Sequence, residues 1–201
     1  MGIALADFEF LHKNILQKVQ KDYRQIKILE LGNQHLHKDF EIEHETSKQY
    51  FDFVGSFHVS IDLNGKDGAI PINLNNLIED NDFIGSFDIV TNFGTTEHVT
   101  NQYMCWTNIH NLCRKGGLFI NVVPKNRDWP GHGYYHYKKS FFSSIADMND
   151  YTIIKREINV SRGKGKYLIN CSMVKNSDNE FMSKDDFRKV TKESIYKLGK
   201  K

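Results

Sequence analysis

Lys27-Ile28-Leu29-Glu30-Leu31-Gly32-Asn33-Gln34-His35 decides how the rest of the chain reads. A short apolar run closes on an acidic residue and a glycine, and a polar turn follows. Many α/β folds that bind nucleotides begin this way, because glycine lets the backbone turn sharply and lets a ligand approach it closely. The usual G-x-G-x-x-G is absent, so the stretch takes its meaning from what lies downstream.

The chain has 201 residues, 39% of them hydrophobic and 26% charged, which describes one globular domain with a sizeable core. A formal net charge of +2 is too small to argue for nucleic acid as the main partner. Cys105, Cys113 and Cys171 have no C-x-x-C spacing and read as buried small hydrophobes in a reducing compartment. Asp7 and Glu9 interrupt the first residues and no basic n-region precedes them, so no signal peptide is expected. No apolar run approaches the ~20 residues of a membrane span, and the expected location is cytoplasmic, with no membrane partner.

Phe8, Leu11, Ile15 and Val19 recur at helical spacing and predict a helix over 4–21. A strand over 26–31 follows, then a helix over 46–54 stopped by Gly55. Alternating or β-branched runs predict strands at 57–63 and 87–93, and an irregular one at 69–74, where Pro71 intervenes. Thr95 or Thr96 is the expected N-cap of a helix through Val99, Tyr103, Trp106, Ile109 and Cys113, ended by Lys115-Gly116-Gly117. The continuous apolar run 118–123 is a strand covered on both faces. Phe141, Ile145 and Met148 mark another helix. Strands at 151–160 and 166–174 are joined by Arg162-Gly163-Lys164-Gly165 as a hairpin. Ser183 opens a last amphipathic, basic helix stopped by Gly199, within a C-terminal segment 177–201. Lys and Arg alternate there with Asp185, Asp186 and Glu193, which describes a solvated face. The order implies a doubly wound α/β fold over 1–176: a mainly parallel sheet of seven strands, helices on both faces, and a C-terminal antiparallel hairpin at the edge.

In such a sheet the ligand crevice lies outside the carboxyl ends of the strands. Glu30, Gly32 and Asn33 follow the first strand, Asp62 the second, Asn73 the third, and Asn92, Phe93 and Gly94 the fourth. An acidic residue in the place of Asp62 suits ribose hydroxyls, through charge-assisted hydrogen bonds.

Ile28-Leu29-Glu30-Leu31-Gly32, Ser60-Ile61-Asp62, Phe87-Asp88-Ile89-Val90, Glu97-His98-Val99 and Leu112-Cys113-Arg114-Lys115-Gly116-Gly117-Leu118 occur in the order seen in class I S-adenosylmethionine-dependent methyltransferases. The chain resembles that Rossmann-like superfamily over roughly residues 25–175. The resemblance implies S-adenosyl-L-methionine as cofactor, with Glu30, Gly32 and Asn33 near its methionine moiety, Asp62 on the ribose and Asn73 near the adenine amine. Asn92, Phe93 and Gly94 complete the implied cofactor set. Gln34 and Leu36 stand where the family's first motif has glycines, which implies either a shifted backbone or weaker cofactor binding. Asp62 lies 30 positions after Gly32, against the ~20 usual in nucleotide folds. The extra length falls on 34–45, expected as a loop near the cofactor.

The loop 126–137 packs Trp129, His132, Tyr134, Tyr135 and His136 between glycines and a proline, and long loops of this kind often carry function. His132 and His136 are candidate general bases, with His98 as a third catalytic candidate. Glu97, Trp129, Tyr134 and Tyr135 are candidate substrate contacts. His132 and His136 are spaced as a helical metal pair, but Pro130 and Gly133 oppose a helix and no third ligand is evident, so no metal is expected. These residues point to methyl transfer onto an oxygen or nitrogen of a small molecule or carbohydrate. The alternatives are a catalytically silent binding or assembly subunit and a nicotinamide-dependent oxidoreductase, which the missing G-x-G-x-x-G disfavours. The acceptor and the oligomeric state are open from sequence.

Overall fold

Neighbouring residues of the strand Lys27–Leu31 bury on opposite sides of one sheet, Ile28 with one apolar cluster and Leu29 and Leu31 with another. That run has no polar face, so both of its sides need a covering layer. A computed structural model of the chain describes residues 2–18, 22–37, 43–160 and 166–198. In order, its elements are β1 (Gly2–Ile3), α1 (Leu5–Lys18), β2 (Lys27–Leu31), β3 (His35–Leu36), α2 (Ser47–Phe53), β4 (Phe57–Ile61) and β5 (Phe87–Phe93). They continue with α3 (Gln102–Leu112), β6 (Cys113–Pro124), β7 (Tyr135–Tyr137), α4 (Lys139–Met148), β8 (Tyr151–Val160), β9 (Tyr167–Lys175), α5 (Lys184–Ser194) and β10 (Ile195–Lys197).

The central sheet has six strands in the order β4-β2-β5-β6-β9-β8. Strands β4, β2, β5 and β6 are parallel, and β9 pairs antiparallel with both β6 and β8. On one face Phe10, Leu11 and Ile15 of α1 and Phe51 of α2 meet Ile28, Ile89 and Ile120. On the other, Trp106 and Ile109 of α3, Phe141 and Ile145 of α4 and Phe187 of α5 meet Leu29, Val90, Phe119 and Met173. Among the described residues no helix is long and apolar enough to cross a membrane.

Several expectations are corrected. Six strands replace seven, because the segment 69–74 is reduced to one parallel bridge between Ile61 and Ile70. Pro71 follows at once and has no N–H to extend the ladder. The antiparallel strand is not at the edge: β9 is inserted between β6 and β8. Ile169, Cys171 and Met173 are buried on β9, whereas residues 152–160 of β8 are only half-buried or exposed and tolerate the edge position. Thr96–His98 forms a single 3-10 turn, and α3 begins later, where the Asn101 side chain accepts from the Met104 N–H at 3.2 Å. That helix ends at Leu112, so the Lys115-Gly116-Gly117 segment lies within β6. The last helix stops at Ser194, and β10 pairs antiparallel with β7. The expected hairpin turn at 162–165, Val19 of the first helix and the Gly199 stop lie outside the described residues.

The three cysteines are buried and free. Burial pushes the Cys113 and Cys171 thiols up to about 12, which makes them inert at neutral pH. Beneath α3, the His110 Nε2–H donates to the Asn179 carbonyl at 2.7 Å, so Nδ1 accepts from the Tyr151 hydroxyl at 2.6 Å. This arrangement needs a neutral ring, and burial, reinforced by Lys175, pushes His110 down to about 4. An unfolded histidine titrates near 6.5. The unfolded chain therefore takes up this proton first, and native stability falls as pH drops from about 6.5 towards about 4. The loss from this one group is on the order of 3 kcal/mol. Urea unfolding between pH 7.5 and 4.5 should show it, and His110→Gln should flatten that part of the profile.

Candidate functional site

The turn after β2 is built around a buried carboxylate. Glu30, 1% exposed, accepts from the Gln34 N–H and the Ser60 hydroxyl, both at 3.3 Å, and from the Ser47 hydroxyl. His58 lies 3.8 Å from it and stacks on Phe51. Gly32 has φ +81°, a left-handed conformation that favours glycine, and its N–H donates to the Ile61 carbonyl at 2.7 Å. Gln34 points inward: its amide donates to the Leu31 carbonyl at 3.1 Å and to the Thr95 hydroxyl at 3.2 Å. The shift implied by the missing glycines takes a specific form. His35 and Leu36 form β3 alongside β1, and Leu36 packs on the core.

Asp62 closes this turn from β4. One carboxylate oxygen accepts from the Asn33 N–H at 2.9 Å and the other from the Asn64 N–H at 3.0 Å. Asp62 remains partly exposed on a cleft of about 170 Å³ lined by Gly32, Leu63, Ile72, Asn73, Leu74, Thr95 and His98. Asn73 is exposed there, its side-chain oxygen accepting from the Asn75 N–H at 3.0 Å. Asn33 is buried and donates from its side chain to Asp67 at 2.5 Å.

A second cleft, about 320 Å³, opens at the ends of β5 and β6. Phe93, Gly94, Glu97, Trp129 and His132 line it, together with Asp7 and Ala4 from the N-terminal segment. Asn92 lies beneath: its side-chain oxygen accepts from the Thr95 and Thr96 N–H groups at 3.2 Å, which fixes the turn that carries Glu97 and His98. The His132 ring lies 3.5 Å from the Glu97 carboxylate and packs edge-on against His98, with centroids 4.8 Å apart. Glu97, His98 and His132 thus stand where the two clefts adjoin. Burial lowers the His98 pKa, with Glu97 opposing the shift.

The remaining candidates fall between residues 129 and 136. His136 is fully buried, its Nε2 bonded to the His132 carbonyl at 3.0 Å, so it holds the loop from below. Burial also lowers its pKa. Tyr134 is largely exposed while its N–H donates to the Glu97 carbonyl at 2.7 Å. The Tyr135 hydroxyl donates to the Thr100 carbonyl at 2.9 Å. Trp129 lines the second cleft and donates to the Tyr167 carbonyl at 2.7 Å.

Sequence reasoning missed Gln34 as a lock, and also Gln102 and Tyr137. The Tyr137 hydroxyl reaches Thr96 at 2.9 Å and Gln102 at 2.7 Å, and Gln102 donates to the Thr96 and Val99 carbonyls. A glutamine two turns of chain beyond Glu97 carries no motif; only the fold shows that it braces the Glu97 turn. Asp7, Lys166 and Leu168 were missed because they reach the second cleft from distant segments.

No protein-family model matches the chain, and no curated protein matches it in sequence. Solved structures do match in shape. The 1,6-didemethyltoxoflavin-N1-methyltransferase of Burkholderia thailandensis, solved with 1,6-didemethyltoxoflavin and S-adenosylhomocysteine bound, is 11% identical, with TM-score 0.54 over 86% of this chain and 88% of that one. An S-adenosylmethionine-dependent methyltransferase of Mesorhizobium loti is 14% identical, with TM-score 0.53 over 80% and 96%. A Bacillus halodurans protein assigned as a methyltransferase gives TM-score 0.57 at 13% identity over 83% and 99%. The chain has the class I methyltransferase fold.

Gly133 packs closely on Glu97. It has φ +69°, and a Cβ there would lie 2.9 Å from Glu97 Cγ and 3.0 Å from the Glu97 carbonyl. Gly133→Ala should destabilise the protein by about 1–2 kcal/mol from the left-handed backbone alone, measurable by urea unfolding. An unchanged midpoint would mean that the loop does not sit on Glu97.

Proposed function

We propose that the protein transfers a methyl group from S-adenosyl-L-methionine to an oxygen or nitrogen of a small molecule or sugar. The carrying observation is the partly exposed Asp62 carboxylate at the end of β4, fastened to the Asn33 N–H of the first turn and lining a cleft with Leu63, Ile72 and Leu74. That donor set fits an adenosine: a carboxylate for the ribose hydroxyls and apolar side chains for a flat purine. Gln34 leaves the cleft free, since its buried side chain bonds inward. When bound, the cofactor supplies an electrophilic sulfonium methyl.

The chain's own residues then position the acceptor and handle its proton. The larger cleft offers Trp129 as an apolar wall with Glu97 and His132 as polar groups, and His98 lines the cofactor cleft beside them. Asn92, Gln102 and Tyr137 hold the Glu97 turn rigid, which is the positioning that methyl transfer chiefly demands. The clefts suit a small acceptor, as with the 1,6-didemethyltoxoflavin bound by the Burkholderia enzyme.

Calorimetry with S-adenosylhomocysteine tests this reading. The wild-type chain should bind it, and NAD should not bind. Asp62→Asn keeps one acceptor oxygen for the backbone but loses the charge, and should weaken binding about tenfold or more while circular dichroism stays unchanged. No S-adenosylhomocysteine binding at millimolar concentration would leave a catalytically silent binding subunit as the account of the fold.

A further inference from the structure

We infer that Glu97, His98 and His132 bind one divalent transition-metal cation. One ligand atom from each of the three lies within 4.8 Å of the others. The His132 Nε2 to Glu97 Oε1 separation of 3.5 Å already matches the ~3–3.5 Å between neighbouring donors on a cation with bonds of ~2.1 Å. The His132 side chain is half-exposed, which leaves its ring room to turn towards the set.

Glu97 supplies the independent observation. Its side chain is 1% exposed, yet Oε2 is buried and has no hydrogen-bond partner. Among the described residues its one ion-pair partner is His132. A buried carboxylate oxygen without a partner is costly, and such sites call for an explanation, an ion among them. The surroundings are those of a ligand set held in place. The Tyr134 N–H fixes the Glu97 carbonyl, Gly133 packs on its side chain, and His136 fixes the His132 carbonyl. Two imidazoles and one carboxylate favour manganese, iron, cobalt or zinc over magnesium or calcium, which prefer oxygen ligands throughout. Three protein ligands leave coordination positions open.

Binding of the cation stands on these residues alone. Its role in activating the acceptor rests on the methyl-transfer reading: an open position at the junction of the clefts would lower the pKa of a coordinated hydroxyl. The pattern escapes sequence inspection because His132 and His136 stand out as an i, i+4 pair, whereas His136 turns into the core and the other two ligands come from the turn after β5.

The test is titration of chelator-treated protein with Co²⁺, followed by visible absorbance and calorimetry, and repeated with Mn²⁺ and Zn²⁺. The expected result is saturable binding of one equivalent in the micromolar range. His132→Gln and His98→Gln should each weaken it at least tenfold, while His35→Gln, which alters a surface histidine beside Asp67, leaves it unchanged. His132 is half-exposed, so its variant should fold, as circular dichroism can verify. No saturable binding at millimolar Co²⁺, or equal affinity in His132→Gln, overturns the site. S-adenosylhomocysteine affinity measured on the same samples separates the two claims. Nucleoside binding without cobalt binding sinks only the metal site, and cobalt binding without nucleoside binding sinks only the methyl-transfer role.

Discussion

The ends of β2 and β5 are joined by one small lock, and both clefts depend on it. The Thr95 hydroxyl donates to the Leu31 carbonyl at 2.6 Å, and the Gln34 amide donates to both groups. All of these groups are buried, where unmade hydrogen bonds are costly, so the turn after β2 and the turn after β5 are fixed relative to each other. The first of these turns carries Asn33, which anchors Asp62. The second carries Glu97 and His98. A glycine in place of Gln34 would remove two of its three hydrogen bonds and leave only the Thr95–Leu31 one. The departure from the usual glycine motif is therefore a structural substitution with its own compensation, since β1 and β3 now cover the turn.

The parallel core was legible because apolar runs at β2, β5 and β6 have no polar face and helical stripes separate them. Strand ends with Glu30, Gly32, Asp62, Asn92 and Gly94 were also legible, since the chemistry of a crevice follows from topology. What escaped had non-local causes. Pro71 truncates a strand that its apolar neighbours suggest, and the place of β9 between β6 and β8 is settled by which strand has more apolar surface to bury. Thr95 and Thr96 look like helix caps, yet their N–H groups are claimed by Asn92, and the helix waits for Asn101. His132 and His136 look equivalent in sequence. Only the folded loop shows that one faces a cleft and the other the core.

Charge is distributed economically around the site. Glu30 is buried but answered by Ser47, Ser60 and a backbone N–H, so it acts as a fastener. Asp62 is half fastener and half exposed surface. Glu97 alone among these three keeps a buried oxygen without a partner, and it faces two histidines. Three carboxylates thus have three surroundings: one closes a turn, one is partly exposed on a cleft, and one faces two histidines. Rigidity comes from Gln102, Tyr137 and Gly133, none of which touches the clefts through a reactive group.

The central claim is that two clefts meet at the Glu97 cluster, with the nucleoside in the smaller one. A crystal structure of the protein with S-adenosylhomocysteine tests it most directly. The account predicts the ribose on Asp62, the purine beside Leu63, Asn73 and Leu74, and the sulfur turned towards Glu97 and His132. Density for the nucleoside elsewhere, or with its ribose away from Asp62, would contradict it.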